Sequence, residues 1–298
     1  MRILITGVSG QVGSALRTRL RAYDVIAADR AMLDLTRPDE IAPTLDRLAP
    51  ELVINPAAYT AVDKAEDERD LAYLVNAAAP GAMARWAAKN KMPLIHFSTD
   101  YVFNGAGDRP WREDDPTSPL SVYGASKLAG EDAIRAAGGD SLVMRTSWVY
   151  SAAGTNFLRA IARRAREQKE LRVVADQVGA PTSAASAAEA VVDIVADGLD
   201  GLRARCAEAG GIVHFANAGE TSWHGFAVAI VEGLRSRGVS LAVEQVHAIA
   251  SAEYPTRAVR PRNSRLNLSR IRQVFGIAPR TWNEALATEL DLAATAMR

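Results

Sequence analysis

The chain has 298 residues, 48% of them hydrophobic and 23% charged, with 35 basic side chains balanced by 35 acidic ones. That is ordinary for a soluble globular protein large enough for one big domain or two modest ones. The absence of net charge argues against nucleic acid or an anionic membrane as the main partner. No apolar run approaches the length of a membrane-spanning helix, and a signal-type leader is not expected, because the chain opens on a strand. A single cysteine, Cys206, excludes a disulfide framework and fits a reducing, cytoplasmic setting.

Arg2 to Thr6 is a short β-branched run that predicts a buried strand, and Ser14 to Leu20 predicts a helix. Between them Gly7, Gly10 and Gly13 are spaced G-x-x-G-x-x-G. Glycines at a strand–helix turn permit a pyrophosphate to approach a helix N-terminus, although a ligand-free βα turn reads the same way. A second strand, Asp24 to Ala28, ends at Asp29-Arg30, where a carboxylate can meet an adenosine ribose and a guanidinium a 2′-phosphate. NAD and NADP therefore both stay open. Asp34-Leu35-Thr36 reads as a cap or turn before a helix from Pro38 to Leu48.

A third strand, Leu52 to Asn55, runs into the small-residue loop Pro56-Ala57-Ala58-Tyr59-Thr60, placed at a strand end where ligands of open α/β sheets bind. The charge run Asp63 to Asp70 reads as a solvated face and helix start, and a long helix is predicted from Leu71 to Lys89 with Asn76 in its middle. Leu94 to Phe97 predicts a fourth strand ending at Ser98-Thr99-Asp100-Tyr101. His96 within it reads as a core histidine. The polar stretch Asn104 to Pro119 has the length of a functional loop. A helix then begins near Ser121 and carries Tyr123 and Lys127 one turn apart. A cation there lowers a phenol's pKa and makes the pair a general acid/base. The same spacing also suits an amphipathic helix with a solvated lysine.

Ser141 to Arg145 predicts another strand. Further on come a basic helix near Asn156 to Glu167 with solvated charges, a strand at Leu171 to Val174, a turn-rich loop at Asp176 to Thr182 and an alanine-rich helix at Ser186 to Ala196. Gly211 to Phe215 and Leu241 to Glu244 read as strands, with a Ser222-capped helix through Leu234 between them. Thr256 to Asn267 holds four arginines, which reads as a diphosphate grip or a solvated basic loop. Helices near Leu268 to Phe275 and Trp282 to Leu292 close the chain. The βα alternation predicts a doubly wound, Rossmann-like parallel α/β sheet in residues 1–150, to which later segments return. Residues 151–298 mainly form a smaller, partly discontinuous substrate lobe.

The glycine turn, the Ser98-Thr99-Asp100 strand end and Tyr123-x-x-x-Lys127 together resemble the extended short-chain dehydrogenase/reductase family. Within it, Asn55 to Glu66, Ser98 to Phe103, Pro119 to Gly124, Arg145 to Tyr150, Asp176-Gln177-x-Gly179-x-Pro181-Thr182 and Arg260-Pro261-x-Asn263-Ser264 resemble the dTDP-4-dehydrorhamnose reductases. Pro56 departs from the alanine common there and removes one backbone donor. The resemblance implies NADPH- or NADH-dependent reduction of a nucleotide-sugar C4 ketone, in rhamnose synthesis for lipopolysaccharide O-antigen or other envelope polysaccharide. It implies Tyr123 as proton donor, Lys127 as the residue that lowers its pKa and meets the nicotinamide ribose, and Thr99 as a bond to ketone and phenol. Gly7, Gly10, Gln11, Val12 and Gly13 cradle the pyrophosphate. Asp29 meets the adenosine ribose, with Arg30 beside it for a 2′-phosphate, Asp34 and Leu35 meet the adenine, and Ala57, Ala58 and Thr60 the middle of the cofactor. Asp100, Trp148, Arg257 and Arg262 face the substrate. Mg²⁺ at a homodimer interface is a property of some members, with ligands that cannot be assigned here.

Two rivals stay open. A related 4,6-dehydratase follows its threonine with Asp-Glu, where this chain has Asp100-Tyr101, and an epimerase is usually longer. A non-catalytic relative regulates methionine adenosyltransferase, a role that does not require the Thr99, Tyr123 and Lys127 set.

Overall fold

Residues 1–297 are described by the computed structural model. The first half alternates as expected: β1 (Arg2–Ile5), α1 (Gln11–Arg19), β2 (Asp24–Ala27), α2 (Pro38–Leu48), β3 (Leu52–Asn55), α3 (Val62–Ala65), α4 (Arg69–Tyr73), α5 (Ala79–Asn90), β4 (Leu94–Thr99), α6 (Val122–Ala137) and β5 (Ser141–Thr146). The second half is more broken: β6 (Val149–Tyr150), α7 (Phe157–Glu167), β7 (Glu170–Val174), β8 (Val178–Gly179), β9 (Thr182–Ser183), α8 (Ala184–Val195), α9 (Gly198–Glu208) and β10 (Ile212–His214). After these come β11 (Thr221–Ser222), α10 (Trp223–Ser236), β12 (Gln245–Ile249), β13 (Asn263–Ser264), α11 (Ser269–Phe275) and α12 (Trp282–Thr295).

Six strands form one parallel sheet in the order β10-β5-β4-β3-β1-β2. The order reverses between β1 and β3, and ligands of such sheets bind in the crevice beyond that crossover. One apolar core lies between this sheet and α1, α8, α9 and α11; a second covers the other face with α2 and α5. Residues 184–215 and 269–277 thus pack with the first half of the chain. A separate core of Tyr150, Leu158, Ile161, Phe226, Ile230 and Leu290 joins α7, α10, α12 and β7.

Several expectations are corrected. The helix after the glycine turn starts at Gln11, so Gly13 lies inside it. The long helix is interrupted by a π turn at Leu74–Ala78. The strand expected at Leu241 to Glu244 lies later, at Gln245–Ile249, where it pairs with β7. Helix α9 was not anticipated, because its glycines and scattered charges hide the period. Cys206 sits in it as a buried core residue whose thiol burial pushes up to about 12.

Candidate functional site

The glycine turn lies at the crossover. A Cβ on Gly13 would stand 2.2 Å from the Gly7 carbonyl oxygen, and one on Gly7 2.9 Å from Ala57. Gly7 also has φ +55. Glycine is therefore required for the turn to fold back on the start of α1 and on the 56–60 loop. The turn leaves backbone at the N-terminus of α1, a place suited to a pyrophosphate. Gln11 is held there by Asn156 Nδ2, 2.9 Å from its Oε1. At the end of β2, Asp29 Oδ1 accepts from the Met32 amide at 2.9 Å, and exposed Arg30 reaches Asp34 at 3.6 Å. Asp34 forms a turn rather than a cap. Its carboxylate accepts from the Thr36 amide and hydroxyl, which hold it below the usual carboxylate range. Leu35 is buried. Ala57, Ala58 and Val12 are half-buried, and Thr60 is exposed.

The next wall is the junction of β4 and α6. Ser121 caps α6, its hydroxyl accepting from the Gly124 amide, and Glu66 accepts from the Val122 amide at 2.9 Å. A Cβ at Gly124 would lie 2.3 Å from the Tyr101 carbonyl oxygen, so α6 rests directly on the strand end. This brings Thr99, Asp100, Tyr101 and Tyr123 together. The Thr99 hydroxyl donates to Asp100 Oδ1 at 3.2 Å, and the Tyr101 ring meets the Tyr123 ring edge-on at 5.5 Å. Burial pushes the phenol up to about 12; the nearby Thr99 hydroxyl pulls it back and the Asp100 charge adds to the rise.

Lys127 is not solvated. It is 1% exposed, and its Nζ lies 2.6 Å from the Phe97 carbonyl oxygen and 3.0 Å from His96 Nε2. Burial lowers it to about 8, against the upward pull of Glu131. His96 is a satisfied core histidine, but one in direct contact with the lysine. Burial and the Lys127 charge hold it well below the usual imidazole range, so the ring is neutral.

Asp100 is 2% exposed. Burial pushes its carboxyl up to about 7, opposed by the nearby Ser264 and by Thr99, whose hydroxyl donates to Oδ1 at 3.2 Å. Its Oδ2 has no partner among the described residues. Trp148 adopts a left-handed φ of 49 and stacks on Trp223 at 3.7 Å, with Gly179 against its edge.

The arginine loop is neither free nor merely solvated. Arg257 pairs with Asp67, Arg260 with Asp63 at 2.7 Å, and Arg265 with Glu220 at 3.3 Å, while Arg262 comes within 4.0 Å of Asp176. The charge run at 63–70 is therefore a tether as well as a helix start. The 104–119 loop is tied to the same region: Trp111 bridges to Leu266, and Asn263 Nδ2 donates to the Arg109 carbonyl.

Sequence reasoning missed the supports. Asn76, buried in the π turn, accepts from the Tyr59 amide and donates to the Tyr59 carbonyl and to Ser126 on α6. Glu131 and Arg145 form a buried pair at 2.6 Å. Trp223 backs Trp148 across 75 residues, and no local pattern announces it. Among the described residues of the single chain, no group of three acidic, histidine or cysteine side chains could hold a metal. Glu189 is engaged by Arg19 and Arg280, and Glu289 by the Ala152 amide.

A parallel sheet with a glycine turn at its crossover and a Thr–Tyr–Lys set beside it defines a nicotinamide-dependent oxidoreductase of the extended short-chain type. The family model described as RmlD substrate binding domain matches residues 1–294, and the chain belongs to that family. It is 43% identical over 289 residues to a dTDP-4-dehydrorhamnose reductase of Burkholderia thailandensis, covering 96% of this chain and 97% of that one. The crystal structure of a dTDP-4-dehydrorhamnose reductase from Clostridium acetobutylicum superimposes with a TM-score of 0.89 at 35% identity, covering 98% and 99%. That of Bacillus anthracis, in complex with NADP, does so with 0.88 at 32%, covering 97% and 98%.

Proposed function

We propose that the protein reduces the C4 ketone of dTDP-4-dehydro-L-rhamnose to dTDP-L-rhamnose. The observation that carries the reading is the seating of Tyr123 on the β4 strand end beside Thr99 and Asp100, next to the glycine cradle, in a chain so similar to named reductases over its full length. The tight Gly7–Gly13 approach fits a bound dinucleotide, which supplies the hydride when present. Gly7, Gly10, Gln11, Val12 and Gly13 hold its pyrophosphate, and Ala57, Ala58 and Thr60 its middle. Asp29 serves a ribose hydroxyl and Arg30 a 2′-phosphate, with Asp34 and Leu35 beside the adenine.

Tyr123 keeps its proton at neutral pH, because burial pushes its phenol up to about 12. That is the state a reduction needs. As C4 gains hydride, its oxygen becomes an alkoxide, and the phenol O–H breaks to give it the proton. Thr99 orients the phenol and accepts a place next to the ketone oxygen. Lys127 meets the nicotinamide ribose. Asp100 and Trp148 contact the sugar, and Arg257 and Arg262 face the diphosphate. Residues 1–150 with the returning segments form the cofactor unit, and the remainder of 151–298 the substrate unit.

The test is oxidation of NADPH and of NADH with purified dTDP-4-dehydro-L-rhamnose, followed by absorbance and by product analysis. Rapid oxidation yielding dTDP-L-rhamnose is expected. Dinucleotide binding without oxidation would refute the substrate assignment.

A further inference from the structure

Behind Lys127 a chain of four side chains runs across three strands of the sheet. The Thr6 hydroxyl donates to Asn55 Oδ1 at 2.6 Å. Asn55 Nδ2 lies 3.0 Å from His96 Nδ1, and His96 Nε2 lies 3.0 Å from Lys127 Nζ. Thr6 follows β1, Asn55 ends β3 and His96 lies in β4. All four residues are at most 2% exposed. A buried network of this kind specifies one arrangement because each unsatisfied member is costly.

We propose that His96 is a positioning residue for the reaction: its ring fixes the Lys127 nitrogen at the floor of the site, and its tautomer follows the charge of that nitrogen. The proposal rests on the reductase reading above and extends it to a residue that touches neither sugar nor dinucleotide. The argument is one of hydrogen-bond polarity. In the sense drawn, Asn55 donates to Nδ1, so the ring carries its proton on Nε2. Nε2–H can then only donate to Lys127, which must accept as a neutral amine while it donates to the Phe97 carbonyl. An ammonium has no lone pair to offer. When Lys127 is charged, it must donate to Nε2, the ring proton must sit on Nδ1, and Asn55 must present its oxygen there. Its amide then donates to the Thr6 hydroxyl. Hydroxyl, amide and imidazole each work in both senses, so the same four sites serve an amine and an ammonium.

The charges around this chain are few. Glu131 faces Lys127 from the same helix and is itself held by Arg145 from β5. Asp100, past the end of β4, acts on Tyr123. The π turn contributes the uncharged Asn76–Ser126 bond. With a lysine lowered to about 8, both senses of the chain fall within an accessible pH range.

The test uses the whole protein, in which His96 is one of four histidines and Lys127 one of five lysines. Nitrogen NMR of labelled histidine and lysine side chains, from about pH 6 to 10, should show the His96 proton passing from Nδ1 to Nε2 at the pH where Lys127 Nζ titrates. A single tautomer throughout, an imidazolium, or a crossing at another pH overturns the coupling. Kinetics give the second arm. His96→Phe should lower kcat about 10²-fold, as small misplacements in an active site do, with KM for the sugar held. His96→Gln, whose amide also works in both senses, should recover most of kcat. Turnover of His96→Phe near that of the unaltered protein, or His96→Gln no better than His96→Phe, overturns the positioning role. If His96→Phe does not fold, the NMR arm decides alone. That arm needs no sugar, so failure of the unaltered protein to reduce the sugar refutes the substrate reading without touching the coupling.

Discussion

Arg145→Met removes one partner of the most deeply buried ion pair in the protein. Arg145 and Glu131 are 2% and 0% exposed, joined by nitrogen–oxygen contacts of 2.6, 3.0 and 3.2 Å. The guanidinium also donates to the Glu113 carbonyl and lies 5.1 Å over the Phe103 ring. After the substitution Glu131 keeps only the Ser98 hydroxyl, at 2.5 Å. Breaking a buried pair this way costs about 3–5 kcal/mol, chiefly from the stranded charge. Against a total stability of about 5–15 kcal/mol, that is a large share. At about 2–4 °C per kcal/mol for chains of 150–250 residues, the expected fall in Tm is on the order of 10 °C. Removing both charges, as in Arg145→Met with Glu131→Leu, should recover much of it, because an apolar pair of similar volume leaves no stranded charge, only the Ser98 hydroxyl and the Glu113 carbonyl without their partners. Thermal and urea unfolding followed by circular dichroism measure both. A single variant as stable as the double one would refute the reasoning, since the cost would then not come from the stranded carboxylate.

Tyr123→Phe should keep dinucleotide binding and lower kcat by about 10²–10⁴-fold, the usual weight of one acid/base group; near-normal turnover would sink the proton-donor role. Gly13→Ala places a methyl 2.2 Å from the Gly7 carbonyl oxygen. NADPH affinity, measured by fluorescence titration, should fall sharply, and unchanged affinity would show that the turn is not the cradle. Asp100 has a folded-state pKa raised to about 7 from 3.8. The folded protein therefore binds the proton more tightly, and this group's penalty on stability is absent below about pH 4, grows from there and is complete above about pH 7. Asp100→Asn should raise Tm at pH 8 and leave it unchanged near pH 4; an equal effect at both pH values contradicts the assignment.

The elements that read well in the sequence are those whose cause is local. The strand runs at Arg2, Leu52 and Leu94, the Pro38 helix start and the Ser121 and Ser222 caps each carry their own signal within a few residues. The glycine turn was legible because its backbone approach needs three glycines at fixed spacing. Helix α9 lacked such a signal; its stability comes from Leu202 and Cys206 in the core rather than from a periodic face. The Tyr123–Lys127 spacing correctly placed both residues on α6, but not the direction of the lysine. That direction is set by His96 and the Phe97 carbonyl, 31 and 30 residues away on another element. A spacing rule fixes which face a side chain leaves from, and packing fixes where it ends.

The arginine loop shows the same point in electrostatic form. Zero net charge argues only against a polyanionic main partner, and acidic and basic runs nearly 200 residues apart are spent on each other. Asp63 accepts both from the Ala258 amide at 3.1 Å and from Arg260, and Asp67 accepts from Arg257. Each half-exposed pair stabilises by about 1 kcal/mol or less. Their joint effect is to fix the loop's position, because Pro261 is at the same time packed on Gly105, leaving no room for a Cβ there. Under the proposed reading, a diphosphate entering here exchanges one anionic partner of an arginine for another. Affinity gained at Arg257 is then offset by the carboxylate released at Asp67. Selectivity must come instead from groups whose partners are still missing, and the buried Oδ2 of Asp100 and Nε of Arg260 are two such groups among the described residues.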